Sequence, residues 1–264
     1  MCTLAFLPLP SGGYVLGHDR DELRTRAKAL APAVTVRAGV TVAYPTDPDG
    51  GGTWIGANGA GLTVAILNAR ERDGRVLPPV PRSRGLVLLD LLPVRSIAEA
   101  VETIRSIEPS LARVRAFHLA AAEPAGADAP ARIARFRWNG TEGAWEESAG
   151  PRIFVSSSLA DTGPERESSW RRFLERGRSM EDGALSAWLA SHEPERGPRS
   201  VCMHRPEGGT MSRTLVEVGM DEVVMRYLPG PPCEPEGDET VVRIARACAP
   251  GTGDAASAPR GGSA

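Results

Sequence analysis

Lysine is almost missing from this chain. Lys28 is the only one, so 30 of the 31 basic residues are arginine. Acidic residues are interleaved with the arginines, no basic stripe forms, and the formal net charge is only −2, so we expect no nucleic-acid partner. The skew, together with abundant Ala, Gly and Pro, reads as GC-rich codon usage. No apolar run approaches about 18 residues, which leaves no candidate transmembrane helix. The short apolar run at the start has no positive charge ahead of it and continues into charged residues, unlike a secretory leader, so a soluble cytoplasmic protein is the expectation. Cysteine is sparse too. Cys2, Cys202, Cys233 and Cys248 make no CxxC pair and no zinc-finger spacing, so neither a disulfide framework nor a structural metal is expected. Cys202-Met203-His204 holds haem or copper ligand types, but neighbours on a strand point to opposite faces, and we read them as not converging. The Gly50 to Gly52 run is not followed by Gly-Lys-Ser/Thr, which excludes a phosphate loop, and no Gly-x-Ser-x-Gly elbow is present for serine-hydrolase chemistry. No cofactor is expected.

What the chain does have is concentrated at its start. Cys2 follows Met1, and its small side chain permits methionine removal, which would leave a residue carrying both a thiol and a free α-amine. Their ordinary pKa values are about 8.5 and about 7.7–8.0, so a nucleophile sits covalently beside a base able to take its proton. Thr3 to Leu7 reads as a strand, Pro8 to Gly13 as a turn, and Tyr14 to Gly17 as the returning strand. That return brings His18-Asp19-Arg20-Asp21, read as a turn, back beside Cys2. A carboxylate there can orient the ammonium, and a guanidinium favours thiolate or oxyanion. His18 reads better as a turn histidine bonded to nearby backbone than as a base.

With 264 residues, 41% hydrophobic and 24% charged, the composition is that of a globular chain of one domain or two. Val34 to Arg37 and Val40 to Tyr44 alternate as short strands; Thr53 to Gly56 and Leu62 to Leu67 read as a strand pair, with Trp54 on the sheet and Asn68 closing the second strand. Arg84 to Leu92 and Ser96 to Ile107 are helical, the second opened by a Ser96/Glu99 capping box. Strands follow at Arg115 to Ala122, Ile133 to Trp138, Gly143 to Glu146 and Ile153 to Ser158. Glu167 to Gly177 and Glu181 to His192 are amphipathic helices with Trp170, Phe173, Leu174, Leu185, Trp188 and Leu189 on their apolar stripes. Val201 to His204, Thr210 to Val218 and Glu222 to Leu228 read as strands. The Ala-Pro-Gly-Ser tail, residues 249–264, is expected to be disordered.

Two motifs carry a family resemblance. Met1-Cys2-Thr3 with Gly17-His18-Asp19-Arg20-Asp21 resembles the N-terminal-nucleophile hydrolases of the bile salt hydrolase and penicillin acylase group. Asp19-Arg20-Asp21-Glu22 and Gly51-Gly52-Thr53-Trp54-Ile55-Gly56, leading through Asn58 and Gly61-Leu62 to Ala65-Ile66-Leu67-Asn68, resemble more closely the NRDE (transport and Golgi organisation protein 2-like) family of that superfamily. The resemblance implies an α+β fold, a four-layer αββα sandwich, over residues 1–248. It also implies hydrolysis or acyl transfer at an amide, ester or thioester. Cys2 would be the nucleophile, with Arg20 and Asp21 supporting it and Asn68 donating to the oxyanion. Trp54, Ser157, at the position of a second family Asn, and Arg213, near a family Arg-Thr-Asn-Thr, would contact the substrate, a small acyl amide. His18 stands where bile salt hydrolases carry Arg, so their substrate chemistry is not carried over. The alternative the relatives imply is a non-catalytic scaffold that binds haem or a lipid. Oligomeric state is left open.

Overall fold

The computed structural model describes residues 2–71, 76, 81–127, 129–156, 162–177 and 183–246. The expected disordered tail, Cys248 and Ser157 lie outside the described residues. Strand β1 (Cys2–Pro8) and strand β2 (Tyr14–Leu23) form the expected hairpin, with Cys2 opposite Arg20 and Pro8 opposite Tyr14. Its turn is closed by the Leu9 N–H on the Gly13 carbonyl at 2.9 Å, and Gly12 supplies the positive φ of 86°. β2 does not stop at Gly17. It runs on through His18-Asp19-Arg20-Asp21, so these residues form a buried strand rather than a turn.

The chain continues with β3 (Leu30–Arg37), β4 (Val40–Thr46), β5 (Ile55–Asn58) and β6 (Thr63–Asn68), then helices α1 (Arg84–Leu91) and α2 (Ile97–Leu111). β7 (Phe117–Glu123), β8 (Arg132–Trp138), β9 (Gly143–Ser148) and β10 (Arg152–Ser156) precede α3 (Thr162–Glu175) and α4 (Ala184–Leu189). β11 (Gly208–Val218), β12 (Glu222–Pro229) and β13 (Thr240–Ala245) complete the described chain. One sheet has the order β10-β1-β2-β11-β12-β13 and the other β3-β4-β5-β6-β7-β8-β9, with every neighbouring pair antiparallel. The sheets face each other, α3 and α4 cover the first, α1 and α2 the second, and the result is the expected αββα sandwich.

Alternation along β1 and β2 assigns the layers. Leu4, Phe6, Tyr14 and Leu16 belong to the main core that includes the second sheet, whereas Ala5, Leu7 and Val15 pack with Trp170, Phe173, Leu185 and Trp188 of α3 and α4. Full burial of side chains of Leu or Phe size contributes about 1.5–3 kcal/mol each, so these two layers hold the hairpin from both sides. The Tyr14 hydroxyl pins the sheets together at one end, 2.8 Å from the Gly61 carbonyl, 2.7 Å from Thr63 Oγ1 and 3.0 Å from the Ala122 carbonyl. Helix α2 has the expected cap, Ser96 Oγ accepting from the Glu99 N–H at 3.1 Å, but its Glu99 carboxylate reaches the Arg95 N–H instead of that of Ser96. The glycines of the second motif permit close approach. A Cβ on Gly52 would lie 2.4 Å from the Gly85 backbone, so α1 sits directly on the 51–54 segment.

Several expectations need correction. β13 was not anticipated. α4 is shorter than the expected Glu181 to His192 helix, whose residues 181 and 182 lie outside the described set, and Leu174 is exposed rather than core. Residues 201–204 are irregular, with one isolated bridge from His204 to Gly209, and Cys202 and His204 do converge, Sγ to Nε2 at 3.6 Å.

Candidate active site

Cys2 occupies the first position of β1, between Arg20 of β2 and Ser156 of β10. It is 7% exposed. Cross-strand partners share a face, so Arg20 and Ser156 flank the thiol on the side toward the second sheet. Arg20 is fixed by lying over the Trp54 ring, with the guanidinium carbon 4.5 Å from its centroid, and by the longer-range charges of Glu22 and Asp47, each 3.9 Å away. A small cleft of about 80 Å3 opens beside it, lined by Glu22, Arg26, Met211 and Tyr227 among others. Trp54 is 6% exposed and supports Arg20 from below; it is not among the residues lining that cleft. Burial pushes the Cys2 thiol above its ordinary pKa; the N-terminal charge pulls it down, the Asp21 charge adds to the rise, and the Asp21 backbone N–H and the Arg20 charge pull it down further. At neutral pH the thiol therefore stays protonated, and attack on a carbonyl needs a base.

Strand alternation splits the charged motif. Arg20 faces the second sheet with Cys2, whereas Asp19 and Asp21 face the helices. Among the contacts that hold Asp21 there, Arg166 Nη1 of α3 lies 3.0 Å from Oδ2 and the Thr210 hydroxyl donates to Oδ1 at 2.7 Å. The same Arg166 nitrogen donates to Thr3 Oγ1 at 2.5 Å, so one buried guanidinium ties the residue after Cys2 to the residue after Arg20. Both members of the Asp21–Arg166 pair are fully buried. Asp19 has no hydrogen-bond partner for either oxygen among the described residues. Burial, then repulsion from Asp21, raises its pKa well above the ordinary aspartate value, against the pull of Arg213 and Arg166.

His18 lies opposite Leu4 and is fully buried, and neither ring nitrogen is hydrogen-bonded among the described residues. It is not a turn histidine. Burial lowers its pKa from 6.5 to about 4, with Asp21 opposing. Between those two values the unfolded chain binds the extra proton, so stability falls as pH drops through that window, by up to about 3 kcal/mol from this group. His18→Phe should flatten the pH dependence of urea unfolding between pH 6.5 and 4 relative to wild type. The raised Asp19 acts in the opposite direction but is common to both proteins. An unchanged slope would refute the neutral buried imidazole.

Asn68 ends β6 opposite Phe117 and is exposed. Tyr14 meets Thr63 across the sheets, and the Ile66 backbone approaches His18 two turns of the pleat farther on. Following β2 and β6 in the same direction brings Asn68 toward the Cys2–Arg20 end. Arg213 goes elsewhere. Its guanidinium donates to Ser186 Oγ at 2.5 Å and lies 3.2 Å from Glu239, on the helix-facing side with Asp19. Ser157, the other expected contact, is outside the described residues.

Sequence reasoning missed four side chains. Arg166 and Thr210, which hold Asp21, come from segments 145 and 189 positions away, and no local pattern announces them. Arg84, at the start of α1, is close enough for the Cys2 charge to raise its pKa against the larger lowering by burial, and it donates to the Ala116 carbonyl at 3.1 Å. Ser156, whose Oγ is buried without a partner among the described residues, was legible only as a strand terminus. A separate group, His192, Cys202, His204 and Cys233, brings four potential metal ligands within 4.8 Å of one another.

The family model described as Transport and Golgi organisation 2 matches residues 1–218. No curated protein sequence is matched. Among solved structures, an N-acylethanolamine-hydrolyzing acid amidase ortholog from Caenorhabditis elegans is similar with a TM-score of 0.57 and 13% identity, covering 83% of this chain and 94% of that one. A variant of conjugated bile acid hydrolase from Clostridium perfringens gives 0.52 and 11%, covering 92% of both chains. Penicillin V acylase from Agrobacterium tumefaciens gives 0.50 and 12%, covering 93% and 86%. At these identities the likeness concerns the fold. No helix of the described residues is long and apolar enough to cross a membrane.

Proposed function

The chain belongs to the Transport and Golgi organisation 2 family, and from that premise and the surroundings of its second residue we propose that it is an N-terminal cysteine hydrolase or acyltransferase acting on small acyl amides or related esters and thioesters. The observation that carries the reading is the placement of Cys2 at a strand start, with Arg20 directly across from it and Asp21 anchored by Arg166 and Thr210. The fold's solved neighbours bear names of amide-cleaving enzymes, which supports the substrate class.

In this account Met1 is removed and the Cys2 amine becomes the base that the buried, protonated thiol requires. The amine takes the thiol proton as sulfur bonds to the carbonyl carbon, and the carbonyl electron pair moves onto oxygen. Asn68 donates to that oxygen, a contact often worth about 3–4 kcal/mol of barrier, and Arg20 favours the local negative charge. Collapse breaks the bond to the leaving group, which receives the proton from the Cys2 ammonium. Water or an acceptor amine then attacks the thioester, again deprotonated by the Cys2 amine, and the thiol is restored. Asp21 positions the strand end and orients the ammonium by charge.

The test is a panel of N-acyl amides, lactones and acyl thioesters offered to wild type and Cys2→Ala. Turnover by wild type alone supports the proposal. No turnover on the whole panel, with a Soret band on haem titration that survives Cys2→Ala, would replace it with a carrier on the same scaffold.

A further inference from the structure

We propose that His192, Cys202, His204 and Cys233 form a structural zinc site. His192 follows α4, Cys202 and His204 sit in the irregular segment before β11, and Cys233 lies in the loop after β12. Three separate stretches of chain thus deliver two thiols and two imidazoles to one point. The geometry fits an ion at its centre. Zinc bonds of about 2.3 Å to sulfur and about 2.0–2.1 Å to nitrogen in a tetrahedron require edges of about 3.8 Å for sulfur to sulfur, about 3.4 Å for nitrogen to nitrogen and about 3.6 Å for the mixed pairs. The observed separations are 3.4 Å for Cys202 Sγ to Cys233 Sγ, 3.2 Å between the two Nε2 atoms, and 3.6 Å and 3.3 Å from His204 Nε2 to the two sulfurs.

Soft thiolate with imidazole in a tetrahedral S2N2 set selects zinc among the common divalent ions, and four protein ligands leave no open position for catalysis. Cys202 is fully buried while the other three are half-buried, which leaves the ion a way in. Binding converts two thiols to thiolates and releases two protons as four ligand bonds to zinc form, with no change of oxidation state. A Cys202–Cys233 disulfide is the competing use of these sulfurs, but it gives the two imidazoles nothing to converge on.

The site has a structural consequence near Cys2. Met203, between two of the ligands, donates its N–H to Thr210 Oγ1 at 2.8 Å, and the Thr210 hydroxyl donates to Asp21. Zinc would hold the 202–204 segment and through it the support of Asp21.

The test uses the full chain, purified under reducing conditions, stripped with chelator and titrated with Zn2+ or Co2+. One equivalent of zinc is expected in the chain as isolated, and Co2+ should give the intense visible bands of a tetrahedral thiolate site on wild type and equally on Cys2→Ala. Cys202→Ser and Cys233→Ser should each lose the stoichiometric ion, and zinc should slow amide exchange at Met203 and Thr210 in wild type. Wild type that takes up no stoichiometric zinc and gives no tetrahedral cobalt spectrum, or thiol-blocked protein that proves to carry a Cys202–Cys233 disulfide, would overturn the proposal. Because the cobalt readout needs no substitution and no turnover, it stands apart from the fate of the acyl-transfer reading.

Discussion

Cys2→Ala should lower kcat/KM for any productive acyl amide by on the order of 10^4-fold or more, with the fold intact. The size follows from the role: without the sulfur no covalent intermediate forms, and removal of a nucleophile leaves only what binding and oxyanion stabilisation supply. Cys2 is small and sits at a strand end, so truncation to Ala deletes one sulfur from the core and leaves its neighbours Arg20 and Ser156 in register. A companion variant separates the attacker from the base. An extra residue placed before Cys2 to block processing keeps the thiol but turns its amine into an amide, and turnover should fall nearly as far. Full activity of the blocked form would assign the proton transfer to another group. His18, already neutral down to about pH 4, shares the Cys2 face of β2 and is the next candidate.

Arg166→Met should be the most damaging single change to stability. It removes the cation from a fully buried pair and leaves Asp21 with its Thr210 contact but without the 3.0 Å guanidinium. Loss of one partner of such a pair typically costs about 3–5 kcal/mol, because the remaining charge stays buried without its countercharge. At roughly 2–4 °C per kcal/mol for chains of this size class, the melting temperature should fall by roughly 6–20 °C. Asp21→Asn in the same chain should restore part of the loss by removing the stranded charge. A single variant that melts within a degree or two of wild type would show that the pair does not carry the strand end.

The hairpin at the start, the β5–β6 pair, the helix beginning at Arg84 and the helix boundary at Ser96 were legible because local signals agree there: a Pro/Gly turn, alternating apolar residues, helical spacing and, at Ser96, a capping serine. The extension of β2 was not, because His18-Asp19-Arg20-Asp21 read as a turn. Asp21 is buried beside the Thr210 of β11 and the Arg166 of α3, and Arg20 against Trp54, partners that exist solely in the folded chain. β13 escaped for the opposite reason: as a half-exposed edge strand it carries little apolar burial to mark it. The surroundings of Arg213 could not be read from sequence position alone. Its strand was right, but its side was decided by Ser186 and Glu239. The four-ligand cluster could not be found by spacing, since its ligands come from three segments spread from His192 to Cys233.

Trapping by an acyl electrophile, read by intact mass and peptide mapping of the mature chain, tests the acyl-transfer account most directly. A polypeptide beginning at Cys2, with one acyl group on that residue and none on Cys202 or Cys233, is the predicted result. A chain that keeps Met1, or one that accepts the acyl group elsewhere while Cys2 stays unmodified, would contradict it.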